Sequence, residues 1–503
     1  MGTAASSVAL PGEVRYASAA GRWVLLATVL GSGMAFLDST VINVALPTIG
    51  EDLDAGLAGL QWTVNAYALT LAGLLLLGGT LGDRFGRRKV FIWGVVWFAI
   101  ASGLCALAPT IEALIAARAL QGVGAALLTP GSLALIEASF RPDDRGAAIG
   151  AWSGLGGVAA AIGPFLGGYL VQSVSWRLIF LINLPLAAVV VWAAARHVPE
   201  SRNPSAAQRL DLAGAALAAL GLGGVTYALT EGPSSGWAEP ATAVLGVGGL
   251  AALTAFVAVE MRSPHPMIPL GIFSSRLFTA ANIVTLVVYA ALGGALFLLP
   301  IQLQVVTGYD PLEAGTALIP LTIVMLLLSA RAGRLAKRIG PRIPMTVGPL
   351  VAAVGLAMLV RVGPGAGYVA DILPALLVFS LGLAIVVAPL TATVLGAASE
   401  ENAGVASAIN TDVARVASLL AVAVIPVAAG IGGSDYLDPV AFDDGFQNGM
   451  LICAALCAAG GLLAFATIRR EDAGVCDVEP LTYCPLTGPS ADVPEAARAA
   501  GAP

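Results

Sequence analysis

With 503 residues, 58% of them apolar and only 11% charged, the chain is not a soluble globular protein, in which about a quarter of residues carry charge. Its formal net charge of −6 says little about partners, because the charges sit between apolar blocks of about 20 residues, the length a helix needs to cross a bilayer. Five cysteines without metal-ligand spacing and two histidines, His197 and His265, argue against a zinc or haem centre. Neither metal, cofactor nor nucleic acid is expected.

Apolar blocks near residues 23–46, 59–80, 90–108, 111–136, 147–170, 178–195, 211–230, 242–260, 279–300, 313–330, 343–360, 371–393, 404–429 and 446–468 predict fourteen spans in an all-α polytopic membrane protein. Short connections make this an up-and-down bundle. Residues 1–20 lack a basic leader region and the first block carries a charge, so that helix is expected to be kept and not cleaved as a signal peptide. Of the lysines and arginines, 21 fall in the set of loops that begins with the N-terminal tail and only Arg177 and Arg361 in the opposite set. That asymmetry predicts both termini in the cytoplasm. The expected organisation is a tail over 1–22, a six-helix half over 23–200, an inserted helix pair over 201–262, a second six-helix half over 263–470, and a disordered tail over 471–503.

The first span contains Phe36-Leu37-Asp38-Ser39-Thr40-Val41-Ile42-Asn43, and Asp38 is its only formal charge. A carboxylate near mid-membrane costs about 2.5 to 3.5 kcal/mol even on lenient insertion scales, so it is expected to face a partner or a water-filled cavity. It serves either to carry protons or, more plainly, to pin helix packing through a buried ion pair. The second span offers Trp62, Asn65 and Tyr67 as cavity-facing candidates. The loop after it reads Gly79-Thr80-Leu81-Gly82-Asp83-Arg84-Phe85-Gly86-Arg87-Arg88-Lys89. Gly82 and Gly86 permit a tight turn, and Asp83 can accept charge-assisted hydrogen bonds from a neighbouring helix terminus; the alternative is an ordinary basic loop.

In the fourth span, Arg118 lies about 10 Å and Asp38 about 12 Å below the same membrane face at 1.5 Å rise per residue. An Asp38–Arg118 pair, direct or water-bridged, is expected, with Gln121 one turn along; two independent buried charges are the alternative. The fifth span carries Gly163, Pro164, Gly167 and Gly168, a bend beside a groove for a close neighbour. Spans seven and eight read as structural. Tyr289 in the ninth span is a further cavity candidate, and Gln302 and Gln304 at its end are either substrate contacts or part of an outer rim. The loop after the tenth span, Ala336-Lys337-Arg338-Ile339-Gly340-Pro341-Arg342, echoes the earlier one with Lys337 in place of its acid, a weak internal symmetry of the kind transporters show. In the thirteenth span Asp412 and Arg415 stand three residues apart and either neutralise each other, form a second proton site, or supply a counter-charge to substrate.

These stretches together resemble the major facilitator superfamily, in particular its fourteen-helix drug:H+ antiporter branch, over nearly the whole chain. Leu37 to Pro47 is similar to the acidic motif of the family's first helix and Gly79 to Lys89 to its loop signature. Arg118 to Gly122 is similar to its fourth-helix arginine motif, Gly163 to Gly168 to its antiporter motif, and Gln61 to Tyr67 to the second helix of this branch. The resemblance implies two six-helix halves plus an inserted pair, Asp38 and Arg118 as the proton-coupling pair, and an inner gate formed by Gly79, Gly82, Asp83, Arg84, Gly86, Arg87 and Arg88. It further implies proton-coupled efflux of amphipathic or cationic small molecules, with resistance as the outcome, by a monomer in a bacterial cytoplasmic membrane. The degraded second loop motif departs from the family pattern, as does Asp412 where a small residue is expected. An importer or uniporter of the same fold and a non-transporting sensor are the alternatives. An enzyme is not expected, since no metal set or nucleophile elbow is found. An ATP-driven pump would need a phosphate-binding loop, which neither Lys89 nor Lys337 follows.

Overall fold

A computed structural model describes residues 12, 14–202, 211–263, 266, 268–398, 403–433 and 435–468. The expected tail over 471–503, with Cys476 and Cys484, lies outside the described residues, as does His265. Among the described residues, fourteen helices are long and apolar enough to cross a membrane. They are α1 (Ala19–Asp52), α2 (Leu57–Phe85), α3 (Arg87–Ala106), α4 (Ile111–Ser139), α5 (Pro142–Ser173), α6 (Leu178–His197), α7 (Leu212–Ser235), α8 (Pro240–Arg262), α9 (Arg276–Val306), α10 (Pro311–Ile339), α11 (Arg342–Leu359), α12 (Tyr368–Gly396), α13 (Gly404–Ala428) and α14 (Pro439–Thr467).

The helix ends follow local chemistry. Ser18, Thr110, Asp211, Glu239 and Ser275 cap α1, α4, α7, α8 and α9 by accepting from first-turn amides. Asp310 and Glu313 form a reciprocal capping box at the start of α10. Gly86, with φ of 112°, ends α2 and opens α3, a reversal that residues with a Cβ rarely adopt.

The packing of α1–α6 is repeated by α9–α14. In the first set α4 packs on α2 and α3, α1 on α5 and α6, and α3 on α6. In the second set α12 packs on α10 and α11, α9 on α13 and α14, and α11 on α14. The sets meet crosswise, α2 against α13 and α5 against α10. The remaining two helices pack mainly on each other, and α7 lies against both α2 and α13.

The sets are sealed at one end of the bundle, the end away from the start of α1. There Gln172 donates to Asp310 at 2.8 Å, Gln304 to the Val44 carbonyl at 2.9 Å, Gln61 to the Val422 carbonyl at 2.7 Å, and Tyr436 to the Ala55 carbonyl. Along α5, Gly163 lies against Thr40, Gly167 against Val41 and Gly168 against the Pro311 backbone, so a Cβ at any of these would collide. Nearer the start of the same helix, Gly146, Gly150, Gly154 and Gly157 face open space. The cross-set contacts named here thus gather at the far end of the bundle, and the early glycines of α5 make none of them. Gln302 and Gln304 belong to the closed end: Gln302 donates to the Val362 carbonyl at 2.7 Å and to Asp443 at 2.6 Å.

Candidate functional site: a buried ion pair on the wall of a central cavity

A cavity of about 550 Å³ lies between the two sets, lined from α1, α2, α4, α9, α12 and α13. Its wall is largely apolar, with Asn43, Asn65 and Tyr67 on one side and Tyr289, Asn410 and Arg415 on the other. Arg118 reaches it from α4.

Asp38 and Arg118 form a direct ion pair, with Nη1 of the guanidinium 2.5 Å from Oδ2 of the carboxylate and both side chains buried. Burying an isolated charge in this setting would cost several kcal/mol, and the surroundings offset that cost by satisfying the remaining polar atoms. Gln121 accepts from Arg118 at 2.6 Å and donates to Asp38 at 2.8 Å, so it bridges the pair. Arg118 Nε donates to the Thr63 carbonyl at 3.1 Å, and the guanidinium lies 4.4 Å from the Tyr67 ring centre, within cation–π range. The three helices α1, α2 and α4 are thus tied at one depth.

Sequence reasoning placed Gln121 beside the pair but did not find the rest of the circle. Asn183 donates to Asp38 at 3.4 Å and to Ser102 at 2.9 Å, while Ser102 also receives Gln121 and donates to the Phe180 carbonyl at 3.0 Å. Asn183 and Ser102 are both buried. The signal for Asn183 was its place as the only amide within the sixth apolar block.

Other expected residues land in different places. Asn65, Tyr67, Tyr289 and Arg415 line the cavity, whereas Trp62, Gln121 and Asp412 do not. Trp62 turns to the inserted pair, where its indole donates to Glu231 at 3.0 Å and its ring lies 6.0 Å from that of Tyr227. Asp412 and Arg415 do not form the ion pair that their spacing suggested: no such pair within 4.0 Å joins them, and Asp412 Oδ1 and Arg415 Nε are buried without hydrogen-bond partners. Positions three apart on a helix differ by about 60° in direction, and Arg415 follows the cavity while Asp412 turns aside.

In the turn between α2 and α3, Asp83 accepts at 2.8 Å from Arg87, the first residue of α3. Arg87 also donates to the Ala134 carbonyl at 3.3 Å, and Arg88 donates to the Val198 carbonyl at 3.0 Å with its amide on Glu200 at 3.1 Å. Arg84 lies over the Phe85 ring. A Cβ on Gly86 would touch the Glu200 carboxylate, whereas one on Gly79 or Gly82 would make only ordinary contact with Pro130 or Arg87. All these partners belong to α2–α6 or the segment just after α6. Among the described residues no group of His, Cys, Asp and Glu is arranged to hold a metal ion.

Two six-helix sets with the same packing, meeting around a central cavity, define a polytopic transporter architecture. The sequence profile of the Major Facilitator Superfamily matches residues 28–423, and the chain belongs to that superfamily. It is 36% identical over 402 residues to the multidrug resistance protein Stp of Mycobacterium tuberculosis, covering 80% of this chain and 74% of that one. With the puromycin resistance protein of Streptomyces alboniger it shares 35% identity over 455 residues, 89% of this chain and 90% of the relative. The tetracenomycin C resistance and export protein of Streptomyces glaucescens is 34% identical over 403 residues, 80% and 75% of the two chains. Among solved structures, an inward-facing bacterial homologue of the human lysosomal transporter Spinster superposes with a TM-score of 0.66 at 17% identity, covering 90% of this chain and 98% of that one. The fold is that of a multi-pass membrane transporter.

Proposed function

We propose that the protein exports amphipathic small molecules, antibiotics among them, across the cytoplasmic membrane of a bacterium in exchange for protons, so that its host survives them. The printed functions of the relatives, resistance to puromycin and resistance with export for tetracenomycin C, support the direction and the kind of cargo. The distribution of Lys and Arg supports both termini in the cytoplasm, which turns the closed end of the bundle outward and has the cavity loaded from inside. No cofactor takes part; the proton gradient supplies the energy, and a single copy suffices.

The observation that carries the coupling is the Asp38–Arg118–Gln121 cluster, buried, satisfied, and touching the cavity through Arg118. Protonation of Asp38 removes the charge that holds Arg118 against α1 and leaves the cation to Gln121, Tyr67 and the cavity. That changes the relative energy of the two openings, which is how a ligand or proton biases alternating access. The Gly163–Gly168 stretch of α5 supplies the close outer contact with α1 and α10 that must part when the bundle opens outward. The loop from Gly79 to Arg88 acts as the inner gate, its internal bonds marking the open state.

Asp38→Asn tests the reading. The variant folds and inserts, because Asn replaces one carboxylate oxygen and keeps the shape, yet energised inverted vesicles accumulate a fluorescent substrate only at the background rate. Proton-coupled accumulation at the wild-type rate in that variant would overturn the assignment. Addition of substrate to the same vesicles dissipates the pH gradient if the protein transports and leaves it unchanged if it only senses.

A further inference from the structure

The central cavity is cationic. Its lining includes two arginines, Arg118 and Arg415, and among the described residues no Asp or Glu. Arg118 is neutralised by Asp38 at 2.5 Å and has Nε on the Thr63 carbonyl, so it presents little unmatched charge to a cargo. Arg415 is different. Among the described residues no carboxylate lies within ion-pair distance of it, and its Nε is buried without a hydrogen-bond partner. Asp412, one turn earlier, does not line the cavity. A half-buried guanidinium on a cavity wall, without a carboxylate partner and with an idle Nε, is an arrangement that binds an anion by charge-assisted hydrogen bonds.

The surroundings fit a carboxylate or a similar oxyanion on an aromatic body. Thr411 and Ser418 flank Arg415 on the same wall, and Asn410 is held there by bonds to Thr285 at 2.8 Å and Asn282 at 3.2 Å. Across the cavity Asn65 is buried with both side-chain atoms unpartnered, and Asn43 Oδ1 is likewise idle. Between these polar spots the wall is Phe36, Tyr67, Tyr289 and Phe297, enough aromatic surface for a ring system. The geometry points to Arg415 as the recognition site for the anionic group of an amphipathic aromatic acid, with Asn65 and Asn43 reading a second polar group. A cationic cargo, one of the two kinds that the sequence allowed beside an amphipathic one, meets no fixed negative charge among the described residues of this wall. The inference rests on the export reading for its purpose and concerns recognition alone.

Binding of two xanthene dyes of similar size, anionic fluorescein and cationic rhodamine 6G, to the full chain in lipid nanodiscs by fluorescence polarisation tests it. Wild type binds fluorescein at least about tenfold more tightly than rhodamine 6G, and Arg415→Gln loses about tenfold in fluorescein affinity with rhodamine 6G within about twofold. Arg415→Lys, which keeps the charge, recovers most of the anion binding; this variant and the wild-type dye ratio decide the matter if Arg415→Gln fails to fold. Equal or tighter binding of rhodamine 6G by wild type, or unchanged fluorescein binding in folded Arg415→Gln, overturns the inference. Because binding needs no gradient, efflux without anion preference sinks this inference alone, and anion binding without efflux sinks the export reading alone.

Discussion

Gln121 donates to Asp38 at 2.8 Å through one end of its amide and accepts from Arg118 at 2.6 Å through the other. The carboxylate and guanidinium are thus a triangle and not a lone pair, and each corner is costly to remove for a different reason. Taking away Arg118 leaves Asp38 as an uncompensated buried charge, whereas taking away the charge of Asp38 leaves a cation with three other partners.

The expected result is an unequal effect on stability. Arg118→Leu lowers stability by about 3 to 5 kcal/mol, and adding Asp38→Asn to it restores a large part of the loss. Thermal denaturation of the detergent-solubilised single and double variants measures both numbers. Additive losses would mean that the two side chains do not interact in solution.

Closure at the far end depends on α5 meeting α10 without a side chain at Gly168. A Gly168→Val side chain meets the backbone of Pro311 and Leu312, so it wedges the seal apart and shifts the population toward the outward-open arrangement. Spin labels at Val174 and Val440, both exposed, report a longer mean distance in the variant. An unchanged distance distribution would show that the seal does not rest on this contact.

Gly86 combines a φ of 112° with a carboxylate, that of Glu200, where a Cβ would be. Gly86→Ala costs about 1 kcal/mol or more from backbone strain alone, and it also displaces Glu200 from the Arg88 amide. Lower Tm together with faster proteolysis of the segment after α6 is the expected outcome. A Tm equal to wild type would mean that the turn relaxes freely.

The Trp62–Glu231 hydrogen bond fastens α7 to α2. A double-mutant cycle with Trp62→Phe and Glu231→Ala gives a coupling of about 0.5 to 1.5 kcal/mol. Zero coupling would leave the inserted pair held by apolar contact only.

The helix count, the loop charges and the depth of Asp38 and Arg118 could be read from the sequence because each depends on position along the chain and on the cost of charge in hydrocarbon. Rotation about a helix axis is harder to read. In a membrane both lipid and cavity accept an aromatic face, so nothing in the order of residues says that Trp62 turns to α7 while Tyr67, five positions on, turns inward. Ser102 and Asn183 were missed because an uncharged polar side chain can satisfy itself on its own helix, as Thr28 and Ser380 do, and so carries no demand for a distant partner. For Asp412 and Arg415 the spacing permitted a pair, and the empty chamber beside α13 took the arginine instead.

The hairpin of α7 and α8 is fastened to one six-helix set and only leans on the other, with much of α8 turned outward to the bilayer. In the alternating access proposed above, that hairpin is dragged sideways through lipid along the flank of α13. On that proposal, viscosity and thickness of the surrounding membrane brake turnover through two helices that line no part of the central cavity.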